Sequence, residues 1–312
     1  MTSQSNCVLI GMNAGTAINH DDANGTTIVG RDAGEKLTSG IGTTALGYGA
    51  LTGNHTGDYN TAIGYESAKG VTDNAHSNNV SVGYRSLYAV TTGSNNVAIG
   101  YLALDELTNS GDNVAVGAYA LNSCDAGEGG NVAIGYAAGS EIDSSTADNN
   151  VIIGTSAGIG GAAAMAECVA IGYLAMNSTA ANAQTGTVAI GSNSLTALTS
   201  GAGNTAIGYQ AGDLLSTGGY NTLIGNNAGG NFDAEDYNVA VGNGAYSGAS
   251  SGAYCTVIGG NAMQGNATQN GTVAIGYEAL NALTTGAANT AMGYQAGNDL
   301  TTGAYNTILG YQ

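Results

Sequence analysis

A nine-residue phrase, Asn204-Thr205-Ala206-Ile207-Gly208-Tyr209-Gln210-Ala211-Gly212, returns almost unchanged from Asn289 to Gly297, and looser copies run from one end of the chain to the other. The central glycine recurs at 18 positions from Gly11 to Gly310, among them Gly64, Gly100, Gly135 and Gly208. Eleven of the 17 intervals are 17 residues long, two are 18 and four are 19. A fixed short period across a whole chain belongs to a solenoid, in which each repeat is one coil stacked on the next. Residues 1–312 therefore read as a single repeat domain.

Aligned on that glycine, the copies form columns. The residue before it is aliphatic in every copy, as at Ile63, Ile99, Ile134 and Ile207. Two positions earlier stands Val or Thr, and three positions after the glycine stands Ala or Ser. A looser apolar column follows seven residues after the glycine, as at Leu107, Leu198 and Leu283. Alternation predicts a short strand with its two larger side chains inward. The small residue between them, such as Ala62, Ala98, Ala133 or Ala206, then faces outward.

One coil cannot fold alone. Two buried aliphatics and an alanine contribute roughly 4–6 kcal/mol, whereas ordering about 17 residues costs roughly 1 kcal/mol or more for each backbone unit. Stacking in register closes the gap, because each strand then bonds to the coils on either side. The absence of proline agrees, since every residue of a stacked strand needs its N–H. The expected architecture is all-β: a parallel β-solenoid of about 18 coils, roughly 85 Å long at about 4.8 Å per coil.

The remaining columns have structural readings. The glycine marks a corner of positive φ, or a wall too close for a Cβ. Asparagine stands four residues before the glycine in eleven copies, including Asn60, Asn79, Asn96, Asn113, Asn131 and Asn150. Amides stacked in this way can bond to one another as a ladder. Tyrosine follows the glycine in ten copies, including Tyr65, Tyr101, Tyr136 and Tyr209. A core this thin has no room for ten phenols, so they are expected to stack on the outside. The longer intervals are expected to add loops without disturbing the strands.

Charge narrows the partners. Four Lys+Arg against 22 Asp+Glu leave a net charge of -18, which excludes neutralising a nucleic-acid backbone and disfavours anionic membranes. No apolar run approaches the roughly 20 residues of a membrane span. The first residues lack the basic and apolar regions of a secretory signal. No separate cap is expected at either end of the stack, and uncapped strands are templates for self-association.

Asn96-Val97-Ala98-Ile99-Gly100 and Asn131-Val132-Ala133-Ile134-Gly135 resemble the head repeats of trimeric autotransporter adhesins, and the Asn204–Ala211 variant resembles repeats of bacteriophage tail fibres. That resemblance implies a left-handed parallel β-roll, three chains side by side, with the small column (Ala62, Ala98, Ala133, Ala206) as packing surface. A heptad stalk and a membrane anchor are missing from the pattern, which fits a phage fibre better than a complete autotransporter. The expectation is a structural or adhesive fibre component on a virion or cell surface, without catalytic residues or cofactor. It would associate with itself as a homotrimer or, alternatively, as an end-to-end filament, and could contact a host-surface glycan.

Other chemistries have thinner support. Ile207-Gly208-Tyr209-Gln210-Ala211 also fits one unit of a hexapeptide acyltransferase, but such enzymes need three units per coil and a histidine between subunits. His20, His55 and His76, with Asp21, Asp22, Asp58 and Asp73, suggest a metal site, yet the histidines occupy different offsets in the coil. Asp233-Ala234-Glu235-Asp236-Tyr237-Asn238 offers oxygen ligands for Ca²⁺. Thr61, Thr205, Thr222, Thr290 and Thr307 form a partial rank of the kind used on ice-binding faces, but parity turns that column inward with the isoleucines. Cys7, Cys168 and Cys255 occupy the asparagine column and Cys124 the second apolar column. Cys7 and Cys168 are nine coils apart, about 43 Å, far beyond the roughly 6 Å a disulfide spans. The four cysteines therefore read as small buried thiols.

Overall fold

The computed structural model describes residues 6–312 apart from 19–22, 72–73, 126, 144, 161–164, 179–183, 249–250, 266–267 and 269. The chain divides into two compact units, Met1–Ile153 and Gly154–Gln312. Each is a parallel β-solenoid. Among the described residues there is no α-helix, so no helix is long and apolar enough to cross a membrane.

In the first unit nine strands of three residues stack in chain order: β1 (Val8–Ile10), β2 (Thr27–Val29), β3 (Thr44–Leu46), β4 (Thr61–Ile63), β5 (Val80–Val82), β6 (Val97–Ile99), β7 (Val114–Val116), β8 (Val132–Ile134) and β9 (Val151–Ile153). The second unit repeats the arrangement with β11 (Val169–Ile171), β13 (Val188–Ile190), β14 (Thr205–Ile207), β15 (Thr222–Ile224), β16 (Val239–Val241), β17 (Thr256–Ile258), β18 (Val273–Ile275), β19 (Thr290–Met292) and β20 (Thr307–Leu309). A second short ladder in this unit pairs β10 (Met165–Ala166) with β12 (Gln184–Thr185). Register follows the columns even across a 19-residue interval, where Thr61 still pairs with Val80. The added residues stay out of the ladder.

The strand faces are the reverse of the alternation reading. Ala62, Ala98, Ala133 and Ala206, expected outside, are fully buried. Ile63, Ile99, Ile134 and Ile207, expected inside, face outward; Ile99 is 38% exposed and Ile134 40%. The physical reason lies across the coil. Residues three, four and seven after the glycine, such as Ala103, Leu104 and Leu107, already fill the interior. The strand lying against them has room for only one small side chain. Asparagine enters from the same face, two positions earlier, and parity then sends the flanking Val/Thr and Ile columns out.

The motif glycine turns the corner. At Gly208 φ is +142°, and a Cβ there would collide with the carbonyl oxygen of Gly225 in the next coil. Both reasons foreseen for the column hold at once. The chain then makes two tight turns with left-handed residues at alternate positions, as at Leu102 (φ 53°) and Leu104 (φ 51°). Their amides bond to adjacent coils, Leu102 N to Tyr84 O at 3.0 Å and Leu104 N to Ala120 O at 3.1 Å. The corners are thus stacked as firmly as the strands.

Core volume is shared between coils. Where the strand centre is Ala, the residue four after the glycine is usually large, as in the pairs Ala98/Leu104 and Ala115/Leu121. Where the centre is Ile or Leu, that residue is Gly, as in Ile28/Gly34, Ile152/Gly158 and Leu223/Gly229, whereas the smaller Val257 shares its coil with Met263. A Cβ on Gly229 would lie 2.8 Å from Leu223 Cδ2, and one on Gly34 2.7 Å from Ile28 Cδ1. In the coil of Ala206 and Gly212 both are small, and the neighbours close the space. A Cβ on Gly212 would meet Leu195 Cδ2 at 3.0 Å from the coil before and Leu223 Cδ1 at 2.7 Å from the coil after. The Ala133/Gly139 and Ala291/Gly297 coils are closed in the same way.

Candidate interaction face

The asparagine column is a buried ladder. The backbone N–H of Asn96 donates to Asn79 Oδ1 at 2.8 Å, Asn113 to Asn96, Asn131 to Asn113 and Asn150 to Asn131, each of these three at 3.0 Å. Amide nitrogens of the ladder donate to corner carbonyls, Asn96 Nδ2 to Ser110 O at 3.0 Å and Asn131 Nδ2 to Ala147 O at 2.8 Å, while Asn150 Nδ2 donates to Asn131 Oδ1 at 2.9 Å. Asn60 begins the series, its Oδ1 accepting from Asn79 N at 3.1 Å. A buried amide bonded on both sides is stabilising, where an unbonded one would cost more than it contributed. The ladder therefore fixes both the strand direction and the face that turns outward.

That outward face is apolar. It carries the Val/Thr column and the Ile column side by side, half-buried to exposed in every motif strand of both units. The glycine corner follows, and beyond it the tyrosines stand outside as expected. Tyr48, Tyr65, Tyr84 and Tyr101 are stacked with centroids 5.1–5.3 Å apart and planes within 11° of parallel. Tyr119 takes an edge position between Tyr101 and Tyr136. In the second unit Tyr277, Tyr294 and Tyr311 continue the pattern. Tyr209 has Ser192 and Asn226 as column neighbours and stands 50% exposed. On the other flank of the sheet, five residues before the glycine, Tyr220, Tyr237 and Tyr254 form another stack. Sequence reading missed that row, though five tyrosines at this offset, Tyr59 and Tyr305 with these three, were its signal. Because the rings cover one another, each row offers edges and hydroxyls rather than open ring faces.

The basic residues are paired. Lys69 contacts Glu66 at 2.6 Å, Arg31 lies 3.2 Å from Asp32, and Arg85 lies over the Tyr88 ring between Glu66 and Asp105. No disulfide joins the four cysteines; Cys124, Cys168 and Cys255 are buried and Cys7 is half-buried. Of the residues considered for a histidine metal site, His20, Asp21, Asp22 and Asp73 lie outside the described residues. His76 is buried in the asparagine ladder, its Nδ1 3.2 Å from Asn79 Nδ2, and burial pulls its pKa down to about 4. In the Asp233–Asn238 loop, Asp236 Oδ1 accepts from Gly219 N at 2.6 Å and Glu235 Oε2 accepts from Asp233 N. These carboxylates line a shallow depression with Ser251 and Asn270. The threonine rank, expected inside, lies on the outward face with the isoleucines.

Comparison with protein-family models, with curated proteins and with solved structures finds no match to this chain.

Proposed function

We propose that this chain is the shaft of a surface fibre, on a virion or a cell, that associates with copies of itself through the outward sheet face. The observation that carries the reading is the pair of apolar columns left open on that face, exemplified by Ile99, Ile134, Ile207 and Ile258 at 37–40% exposure. A continuous exposed apolar stripe marks an interaction surface. A regular sheet presents it identically at every coil, so a second copy in register meets complementary ridges all along. The resemblance to trimeric repeats supports three chains, now packed through the isoleucine columns rather than through the alanines. Stacked hydroxyl edges of tyrosine flank the face and suit adhesion to a polar surface such as a glycan.

Light scattering coupled to gel filtration tests this. A trimer of fixed mass, dissociated by Ile99→Asp combined with Ile207→Asp, is expected. A well-dispersed wild-type monomer at high concentration overturns the reading, and filaments of uniform width in electron micrographs would move the contact to the ends of the stack.

One observation favours a second reading, ice binding: Thr27, Thr44 and Thr61 stand on the outward face of three successive paired strands. Thermal hysteresis of the purified chain decides it, and its absence removes that reading.

A further inference from the structure

Seven residues before the motif glycine most coils place a residue that faces inward at the corner, and often it is glycine, as at Gly40, Gly57, Gly93 and Gly218. In the coil before Gly135 that position is Glu128, whose side chain is fully buried. One of its oxygens, Oε2, lies 3.8 Å from Cys124 Sγ. The other, Oε1, is buried with no hydrogen-bond donor. An unpaired buried carboxylate oxygen is costly and calls for a proton or a cation.

Two further carboxylates converge on it. Asp125 comes from the same coil and Asp143 from the next, both exposed, and one oxygen from each of the three side chains lies within 4.8 Å of the others. The chain supplies no cation to offset them. Its Lys and Arg residues are Arg31, Lys36, Lys69 and Arg85, and none follows Arg85. Oxygens that share one Ca²⁺ at 2.3–2.6 Å are at most about 5 Å apart, which this cluster satisfies. Burial, with smaller contributions from Asp125 and Asp143, raises the Glu128 pKa. The Cys124 thiol is also driven up, first by burial and then by Glu128, so it stays protonated. The donor set is oxygen alone, which suits a hard cation rather than zinc.

We propose that Asp125, Glu128 and Asp143 form a calcium site that clasps two successive coils of the first unit. Glu128 is the fixed buried ligand, and the two aspartates close over the ion from the solvent side, where water completes the shell. The equivalent position in the second unit, Glu235, differs in that its Oε2 accepts from the Asp233 backbone within its own loop.

The test uses the full chain freed of metal by chelation and titrated with CaCl2 by calorimetry, with melting temperature followed in parallel. One calcium per chain and a rise in melting temperature are expected. Glu128→Gln and, separately, the exposed Asp143→Asn should each weaken binding at least tenfold, while Asp236→Asn leaves it unchanged. Asp143→Asn keeps the test available if Glu128→Gln impairs folding. The site is overturned if millimolar CaCl2 gives neither heat nor stabilisation, or if binding persists unaltered in Asp143→Asn.

Discussion

Exchanging a filler between facing positions tests whether core volume is in fact shared across the coil. Leu223 is fully buried and stands over two glycines, its Cδ1 2.7 Å from a Cβ on Gly212 and its Cδ2 2.8 Å from one on Gly229. Leu223→Ala empties that space and should cost about 3 kcal/mol, transfer and cavity together. Gly229→Leu alone should cost about 2 kcal/mol, because the new side chain enters occupied volume. Backbone strain adds little, since Gly229 has φ 62° and leucine already adopts φ 51° at the matching position of another coil, Leu104. Together the changes rebuild the Ala98/Leu104 arrangement in a different coil. The double variant should therefore be no less stable than Leu223→Ala, a coupling of about 2 kcal/mol or more between the sites. Urea denaturation followed by far-UV circular dichroism measures all four corners of the cycle. Additive costs, within about 0.5 kcal/mol, would refute shared filling.

Three other outcomes follow from the same geometry. Ala206→Asp should abolish the β-type spectrum, because an unpaired buried charge costs about 3–5 kcal/mol, whereas Ile207→Asp should keep the spectrum and reduce the molar mass; the opposite result would return the isoleucines to the core. Asn131→Leu leaves the Asn150 N–H without its acceptor and should lower the urea midpoint more than Asn131→Thr, since threonine already occupies this column at Thr26 and Thr43. His76 is held neutral by burial with its pKa lowered from 6.5 to about 4. The unfolded chain then binds the extra proton first, so the contribution of His76 is complete above about pH 6.5 and is lost as pH falls toward 4. About 3 kcal/mol is at stake; a pH–stability profile of His76→Gln parallel to wild type across that window would contradict the assignment.

The period, the glycine corner, the amide ladder and the tyrosine row after the glycine were legible in the sequence because each is one side-chain type repeated at one offset. The inward face was not, because size misleads in a coil this thin. Ile99 is larger than Ala98, yet Leu104 and Leu107 occupy the interior from the opposite wall. Two signals pointed the right way. Asparagine, expected in a ladder, shares parity with the alanine. The alanine column also admits Leu9, Ile28, Ile152 and Leu223, each in a coil with glycine four residues after the motif glycine. The acidic cluster had no comparable signal. Asp125 and Asp143 do share one offset, eight residues after Gly117 and Gly135, but Glu128 stands at another, seven before Gly135, where most coils place an uncharged residue, so no column joined the three.

Fillers that lean into adjacent coils also govern how the length of such a protein can change. The two near-identical phrases, Asn204–Gly212 and Asn289–Gly297, lie five periods apart, and both belong to coils with an empty centre. Each follows a coil whose leucine, Leu195 or Leu280, reaches forward, and each precedes one whose Leu223 or Ile308 reaches back. Genetic exchange between the phrases would remove residues 205–289 and shorten the stack by about 24 Å, yet every cavity would keep an occupant. Loss of residues 205–221 alone would set Leu195 against Leu223 in adjoining coils, two side chains claiming one space. The larger deletion should melt near the parent and the single-coil deletion well below it. Length would then vary in blocks of coils, with the core setting the block.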